Sequence, residues 1–211
     1  MTREASNYHW LSAALAADNG AAAMDARIKP LLPSWRIFGR ALTVKVPEGD
    51  NLAVHAALSM VKRGEVLVVD AGGYPNRAIM GGLMTRQALA LGVAGVIIDG
   101  AVRDTEELRA LGLPMFSAAT HPAGPTKTGG GAVAQEISCG GVTVRNGDWI
   151  LADADGIAVI PDQDFDAVAG KAHEKLERET ARIKAIESGD VFPAWLSTAL
   201  QDASDKVQMP A

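Results

Sequence analysis

The pair Arg103-Asp104 is the part of this sequence best suited to chemistry. Arg103 offers a planar, two-pronged donor for a carboxylate or an enolate. Asp104 cannot serve the same anion, and its oxygens are the hard donors that a divalent metal takes. A second cluster, Asp70-Ala71-Gly72-Gly73, leads on to Gly81-Gly82 at the start of a helix. Free N–H groups at that helix start form an anion pocket for a carboxylate or phosphate. Plainer readings stand beside these. An Arg-Asp pair opening a helix also serves as a cap with a surface ion pair, and Gly-Gly pairs also make simple turns.

Glu179 is the next candidate. Phe165, Val168, Ala169, Ala172, Leu176, Ile183 and Ile186 form one stripe at helical spacing, and Glu179 falls inside it. A carboxylate on a buried face needs a partner. That partner is either a neighbouring arginine or a group at a subunit interface or active site. His55 reads as a packed or capping residue. His121 opens a long loop, 121–132, rich in proline and glycine, and its role stays open. Asp153 and Asp155 read as turn residues. No Walker, HExxH, GxSxG or paired-cysteine motif is present.

The elements that must hold these residues follow from the apolar runs. Val66-Leu67-Val68-Val69 and Val93-Ala94-Gly95-Val96-Ile97-Ile98 are short and continuous, as strands covered on both faces would be. Each is followed by a loop, 70–73 and 99–104, and then by a helix, 82–91 and 105–111. This β-loop-α-β-loop-α order implies a parallel pair with a right-handed crossover. Parallel sheets bind ligands beyond the carboxyl ends of their strands, so both loops belong to one edge. Elsewhere the sequence predicts a helix within 8–24 and an extended connector over 28–33. A strand is predicted over 42–46, and a helix over 51–61 capped by Asp50. Short strands are predicted at 141–144, 149–152 and 157–160, and a long helix over 162–187. The stretch from Pro193 carries no pattern. The whole reads as one α/β domain over residues 1–190 with a tail at 191–211.

Composition narrows the classes. Twenty Lys+Arg against twenty-five Asp+Glu give a net charge of −5, which disfavours nonspecific binding to nucleic acid or membrane surfaces. The hydrophobic fraction of 48% suits a real core. A single cysteine, Cys139, excludes an intrachain disulfide framework and reads as inert. No apolar run approaches the roughly 18 residues of a membrane span, and residues 1–6 lack a signal pattern. A reducing, cytoplasmic setting is the expectation.

The run Gly95-Val96-Ile97-Ile98-Asp99-Gly100-Ala101-Val102-Arg103-Asp104 resembles the RraA-like family of ribonuclease regulators and class II pyruvate aldolases. Further matching segments are Gly49-Asp50-Asn51-Leu52-Ala53, Gly64-Glu65-Val66-Leu67-Val68-Val69-Asp70, Ser138-Cys139-Gly140-Gly141-Val142 and Ala152-Asp153-Ala154-Asp155-Gly156. The resemblance implies a swivelling β/β/α domain with a C-terminal helical arm. It also implies a homotrimer or hexamer with sites between subunits. By the same resemblance, Arg103 binds a pyruvate carboxylate and stabilises its enolate. Asp104 ligates Mg2+ or Mn2+, the Gly82-Leu83-Met84 amides hold the carboxylate, and Glu179 reaches in from a neighbouring subunit.

The implied reaction cleaves a 4-hydroxy-2-oxo acid such as 4-hydroxy-4-methyl-2-oxoglutarate, and oxaloacetate decarboxylation uses the same enolate. The alternatives are a non-catalytic ring like the ribonuclease regulators, or an enolate enzyme with another substrate. One departure stands out. The aldolase pattern has an acid where this chain has Gly82, so metal affinity should fall, and Asp70 or His121 are the candidates to compensate. Restoring an acid by Gly82→Asp should tighten metal binding.

Overall fold

The computed structural model describes residues 7–202. They fall into two compact units, divided between Ala172 and His173. The first unit opens with α1 (Ala13–Asp18), β1 (Ala22–Ala23), β2 (Lys29–Pro30), β3 (Ile37–Lys45) and α2 (Leu52–Leu58). It continues through β4 (Val66–Asp70), β5 (Ala78–Met80), α3 (Gly82–Leu91), β6 (Gly95–Val102), α4 (Thr105–Leu111) and β7 (Met115–Thr120). The smaller strands β8 (Ala132–Val133), β9 (Ile137–Cys139), β10 (Val142–Val144), β11 (Trp149–Ala152) and β12 (Ile157–Ile160) follow. Helix α5 (Phe165–Glu187) starts in this unit, and the second unit also holds α6 (Leu196–Asp202).

The centre of the sheet is parallel: β3, β4, β6 and β7 lie side by side, and β5 also runs parallel to β6. Antiparallel strands β11, β12 and β1 extend it beyond β3, and β2 closes the far side against β7. Successive strand residues face opposite sides. Leu67, Val69, Val96 and Ile98 pack with Val54 and Ala57 of α2, Ala88 of α3 and Leu108 of α4. Val66, Val68 and Ile97 pack on the other side with Phe116, Ile137, Val144, Ile150 and Val159. Both faces of β4 are therefore dry, which is why its sequence shows a continuous apolar run instead of alternation.

The two long strand readings were right in kind and short in extent. β3 begins at Ile37, ahead of the expected 42. β6 continues through Val102, so Asp99 to Val102 are sheet and the expected loop shrinks to Arg103-Asp104. Strands β5 and β7 were not among the expected strands; both pair with β6, and β7 pairs with β2 as well. The N-terminal helix is confined to α1, where Ser12 Oγ accepts the Leu15 N–H. Helix α2 ends at Leu58, and Asp50 is not its N-cap. Asn51 takes that position, without a side-chain cap bond, while Asp50 accepts the Leu52 N–H at 2.9 Å.

A short 3-10 turn, Asp162–Asp164, precedes α5. The stripe of α5 is buried from Phe165 through Ala172 and open beyond, where Ile183 and Ile186 are exposed. The tail read as patternless contains α6, and residues 1–6 and 203–211 lie outside the described residues. No described helix is long and apolar enough to cross a membrane.

Candidate active site

Strands β5 and β6 run parallel with Met80 opposite Val102, so the chain leaves both at the same edge. The Arg103 N–H donates to Met80 O at 3.0 Å, which fixes the first residue beyond β6. Asp104 then turns the chain with φ 57° and ψ 38°. Left-handed backbone at a non-glycine residue costs on the order of 1–3 kcal/mol, and aspartate is one of the few residues that visits it routinely.

Asp104 sits at the N-cap position of α4, yet its side chain does not cap that helix. Its Oδ2 instead accepts the Gly82 N–H at 3.0 Å, and Arg103 Nε lies 3.6 Å from the same oxygen. The carboxylate thus ties the exit of β6 to the start of α3. Both side chains of the pair remain 41% exposed.

A side chain at either glycine of this helix start would have to displace a neighbouring side chain. A Cβ on Gly81 would lie 2.5 Å from Asp104 Oδ2 and 3.0 Å from Arg103 Cγ. A Cβ on Gly82 would run into the Glu107 carboxylate.

A cavity of about 340 Å³ opens here. Gly81, Gly82, Leu83, Met84, Arg103, Asp104 and Glu107 line it, facing Asn51 and His55 from the α2 side and Pro125 and Lys127 from the long loop. Asn51 is 2% exposed. Its Nδ2 donates to Ile79 O at 2.9 Å, but its Oδ1 has no partner, and neither has the buried Nε2 of His55. Buried polar atoms are nearly always paired, so two orphans at one cavity mark a place for a polar ligand or its water.

Asp50, one residue earlier, is fully committed. Its Oδ2 accepts from Thr126 Oγ1 and from the N–H groups of Thr128 and Gly129, at 2.8–2.9 Å. Burial alone would raise this carboxyl, but the hydrogen bonds from Leu52, Gly129, Thr126 and Thr128 prevail and hold it down at about 2. The loop carrying Lys127 is thereby fastened beside the cavity.

The expected residues divide clearly. Arg103, Asp104, Gly82, Leu83 and Met84 share the cavity. The Gly82 amide is already taken by Asp104, which leaves Leu83 and Met84 as first-turn N–H groups for which a helix has no partner of its own. Asp70 and His121 do not line the cavity. Asp70 is buried and accepts the Gly72 N–H at 3.0 Å, and His121 Nδ1 accepts the Ala123 N–H at 3.1 Å. Gly72 and Gly73 supply turn backbone at φ 65° and 70°, away from the cavity lining.

Glu179 belongs to the second unit. It is half exposed and pairs with Lys175 at 3.6 Å, not with an arginine. Asp153 is structural, accepting the N–H groups of Ala13 and Asp155. Burial pushes the Cys139 thiol up and keeps it protonated, as an inert cysteine should be.

Among the cavity residues that escaped the sequence reading are Glu107, Asn51, Lys127 and the cavity role of His55. For Glu107 the signal was present, since three residues after Asp104 on a helix is the same face.

Fold and cavity together define an α/β protein with a site suited to a small anion at the carboxyl edge of its parallel strands. A family described as RraA-like, Aldolase/RraA, matches residues 11–159. A chain of Halalkalibacterium halodurans, provisionally named a 4-hydroxy-4-methyl-2-oxoglutarate aldolase, is 43% identical over 168 residues, covering 80% of each chain. Among solved structures, an uncharacterized protein from Pseudomonas syringae superposes with a TM-score of 0.77 at 28% identity, covering 87% of this chain and 92% of the other. The RNA-processing inhibitor RraA of Thermus thermophilus superposes with a TM-score of 0.63 at 33% identity, covering 76% and 93%. This chain belongs to the RraA-like family.

Proposed function

We propose that this protein is a divalent-metal-dependent carbon–carbon lyase that releases pyruvate from a 4-hydroxy-2-oxo acid through an enolate. Oxaloacetate decarboxylation would proceed through the same enolate. The observation that carries the reading is the meeting of Arg103, Asp104 and the α3 amides at one cavity, in a chain whose relatives are named as aldolases.

The residues fit a hard cation of the Mg2+ or Mn2+ type. Such ions use one or two carboxylates and keep several waters. Asp104 offers a half-exposed carboxylate, and the unpartnered Asn51 Oδ1 offers a further oxygen. No set of three or more acidic, histidine or cysteine side chains is gathered among the described residues, so a cation here would have to keep most of its waters. When bound, the cation supplies Lewis-acid polarisation of the 2-oxo group.

The chain's own groups do the rest. Arg103 grips the substrate carboxylate and faces the oxygen where enolate charge develops. The Leu83 and Met84 N–H groups hold the other carboxylate oxygen. Lys127, on the loop fastened by Asp50, adds positive charge for a dianionic substrate.

A trimeric ring with shared sites fits the second unit. There Ile183, Ile186, Val191, Phe192 and Trp195 are exposed, a large apolar area for a free surface. Glu179 on the same helix would then act in a neighbouring subunit's cavity. Mixing Arg103→Ala and Glu179→Gln chains tests this: shared sites regain activity in mixed rings, and unshared sites do not. A cytoplasmic setting suits the single buried Cys139.

A lactate-dehydrogenase-coupled assay over several 4-hydroxy-2-oxo acids and oxaloacetate, with Mg2+, Mn2+ or EDTA, tests the activity. Metal-dependent pyruvate release from at least one substrate is expected, and none from any would sink the lyase reading. The likeness to the RNA-processing inhibitor favours a second reading, a non-catalytic binding ring. An inactive chain that still assembles would point to it.

A further inference from the structure

The first half of the proline- and glycine-rich loop 121–132 is tied down at short intervals. The His121 N–H donates to Val102 O at 2.9 Å, and His121 Nδ1 accepts the Ala123 N–H at 3.1 Å. Ala123 O accepts the Ala78 N–H at 2.9 Å, and Gly124 O accepts from Arg77 Nη1 at 2.7 Å. The Thr126 N–H donates to Gly49 O at 2.9 Å. The Arg77 stem is itself confined, since a Cβ on Gly49 would lie 2.7 Å from its Cδ. Residues 121–126 thus form a fixed wall beside β5 and the end of β6.

That wall stands against the tip of Arg103. A Cβ on Gly124 would lie 2.6 Å from Nη1, 3.4 Å from Cζ and 3.7 Å from Nη2. Gly81 bounds the same side chain nearer its root, where a Cβ would lie 3.0 Å from Cγ and 3.2 Å from Nε. Arg103 therefore runs through a slot between two residues that have no side chain. Its one ion pair among the described residues is with Asp104, 3.6 Å from Nε, which is too long for a hydrogen bond. Arginine has many rotamers to lose, so the walls of the slot must do what hydrogen bonds here do not.

We propose that Gly124 is a positioning residue for Arg103. Its missing side chain leaves the guanidinium the place it occupies at the cavity, and Arg77, by holding the Gly124 carbonyl, keeps the wall at that distance. This rests on the reading above, in which Arg103 grips the substrate carboxylate and faces the developing enolate. The backbone of Gly124 lies outside the left-handed region, so alanine can adopt it without strain. The three atoms that an added Cβ would meet all belong to the free end of Arg103. The guanidinium should therefore yield while the fold stays, and a displacement of about 1 Å at a gripping group can cost about 100-fold in rate.

The test is the exchange of pyruvate methyl protons in D2O with Mg2+, read by proton NMR, with a melting curve for each variant. Gly124→Ala should lower the exchange about 10- to 100-fold and move the melting temperature by less than about 2 °C. Gly170→Ala, which meets nothing within 4 Å, should leave both unchanged. Arg103→Lys has no atom at the Nη1 position, so adding Gly124→Ala to it should cost much less than in the wild type. Arg77→Ala should lower the exchange, and Arg77→Lys, which keeps a donor for the Gly124 carbonyl, should retain more of it. Wild-type exchange in Gly124→Ala would overturn the proposal and leave the lyase reading intact. An equal loss on the Arg103→Lys background, or a marked fall in melting temperature, would overturn it too, because the added methyl would then act on something other than Arg103. A wild-type chain that neither exchanges these protons nor releases pyruvate would instead overturn the lyase reading, and the role of Gly124 with it.

Discussion

Asp99 and Asp104 lie five residues apart, on β6 and just beyond it, and each stands beside an arginine. Their situations are opposite. Asp99 is buried, with Arg27 Nη2 2.7 and 2.8 Å from its two oxygens and the Gly140 N–H donating to Oδ2 at 2.9 Å. Its hydrogen bond, and after it the charge, raise the Arg27 guanidinium further above its ordinary value. Asp104 is 41% exposed, holds one backbone N–H, and keeps its arginine at 3.6 Å. The first carboxylate is saturated and pins β6 to the loops around Gly140 and Arg27. The second holds one backbone N–H, sits on left-handed backbone and stays open to the cavity. Residue type and a neighbouring arginine do not distinguish these two roles. The count of occupied lone pairs does.

Substitutions should separate the two acids in opposite directions. The largest effect is expected at the cavity: Arg103→Ala should lower pyruvate release about 100- to 1000-fold with little change in melting temperature. Wild-type turnover in that variant would remove the site. Next comes Asp99→Ala, which strands the Gly140 N–H and half of the Arg27 charge. A loss of about 2–3 kcal/mol, or roughly 5–10 °C in melting temperature, is expected. Its Mn2+ affinity should stay at the wild-type level, and a stability-neutral Asp99→Ala would break the contrast.

Asp50 provides a pH-dependent check on the saturated class. Its carboxyl is depressed from 3.8 to about 2 in the folded chain. The stability it contributes is therefore complete above pH 3.8 and is lost as pH falls through about 2. The difference in melting temperature between the wild type and Asp50→Asn should close over that interval, and a gap that persists below it would contradict the assignment. The smallest thermal effect belongs to Asp104→Asn. Asparagine tolerates left-handed backbone and still accepts the Gly82 N–H, so stability should move by less than about 0.5 kcal/mol while Mn2+ binding is lost.

Much of this arrangement could be read along the chain. The runs at 66–69 and 95–98 are apolar without alternation because helices and hairpins cover both faces, so the parallel core and its ligand-binding edge were legible. Helices α3 and α4 were legible at their ends because each closes on a left-handed glycine, Gly92 and Gly112. Strand β5 was hidden, since three residues held by one neighbour leave no periodic mark.

In the site, Arg103 and Asp104 were visible as a pair, but the commitments of nearby polar groups were not. Asp70 looked available and is closed by its own turn, whereas Asn51, read only as the first residue of a helix, carries an orphan oxygen. Glu179 lies where periodicity says less: its helical stripe is buried within the chain through Ala172 and exposed beyond, and spacing alone does not record where a covering surface stops.

The central claim is that Arg103 and Asp104 support an enolate at this cavity. Exchange of the pyruvate methyl protons in D2O, followed by proton NMR, tests it without knowledge of the natural substrate. The protein with Mg2+ should deplete the methyl signal, and EDTA, Arg103→Ala or Asp104→Asn should each abolish the exchange. A folded, Mg2+-saturated protein that leaves the methyl signal untouched would contradict the claim.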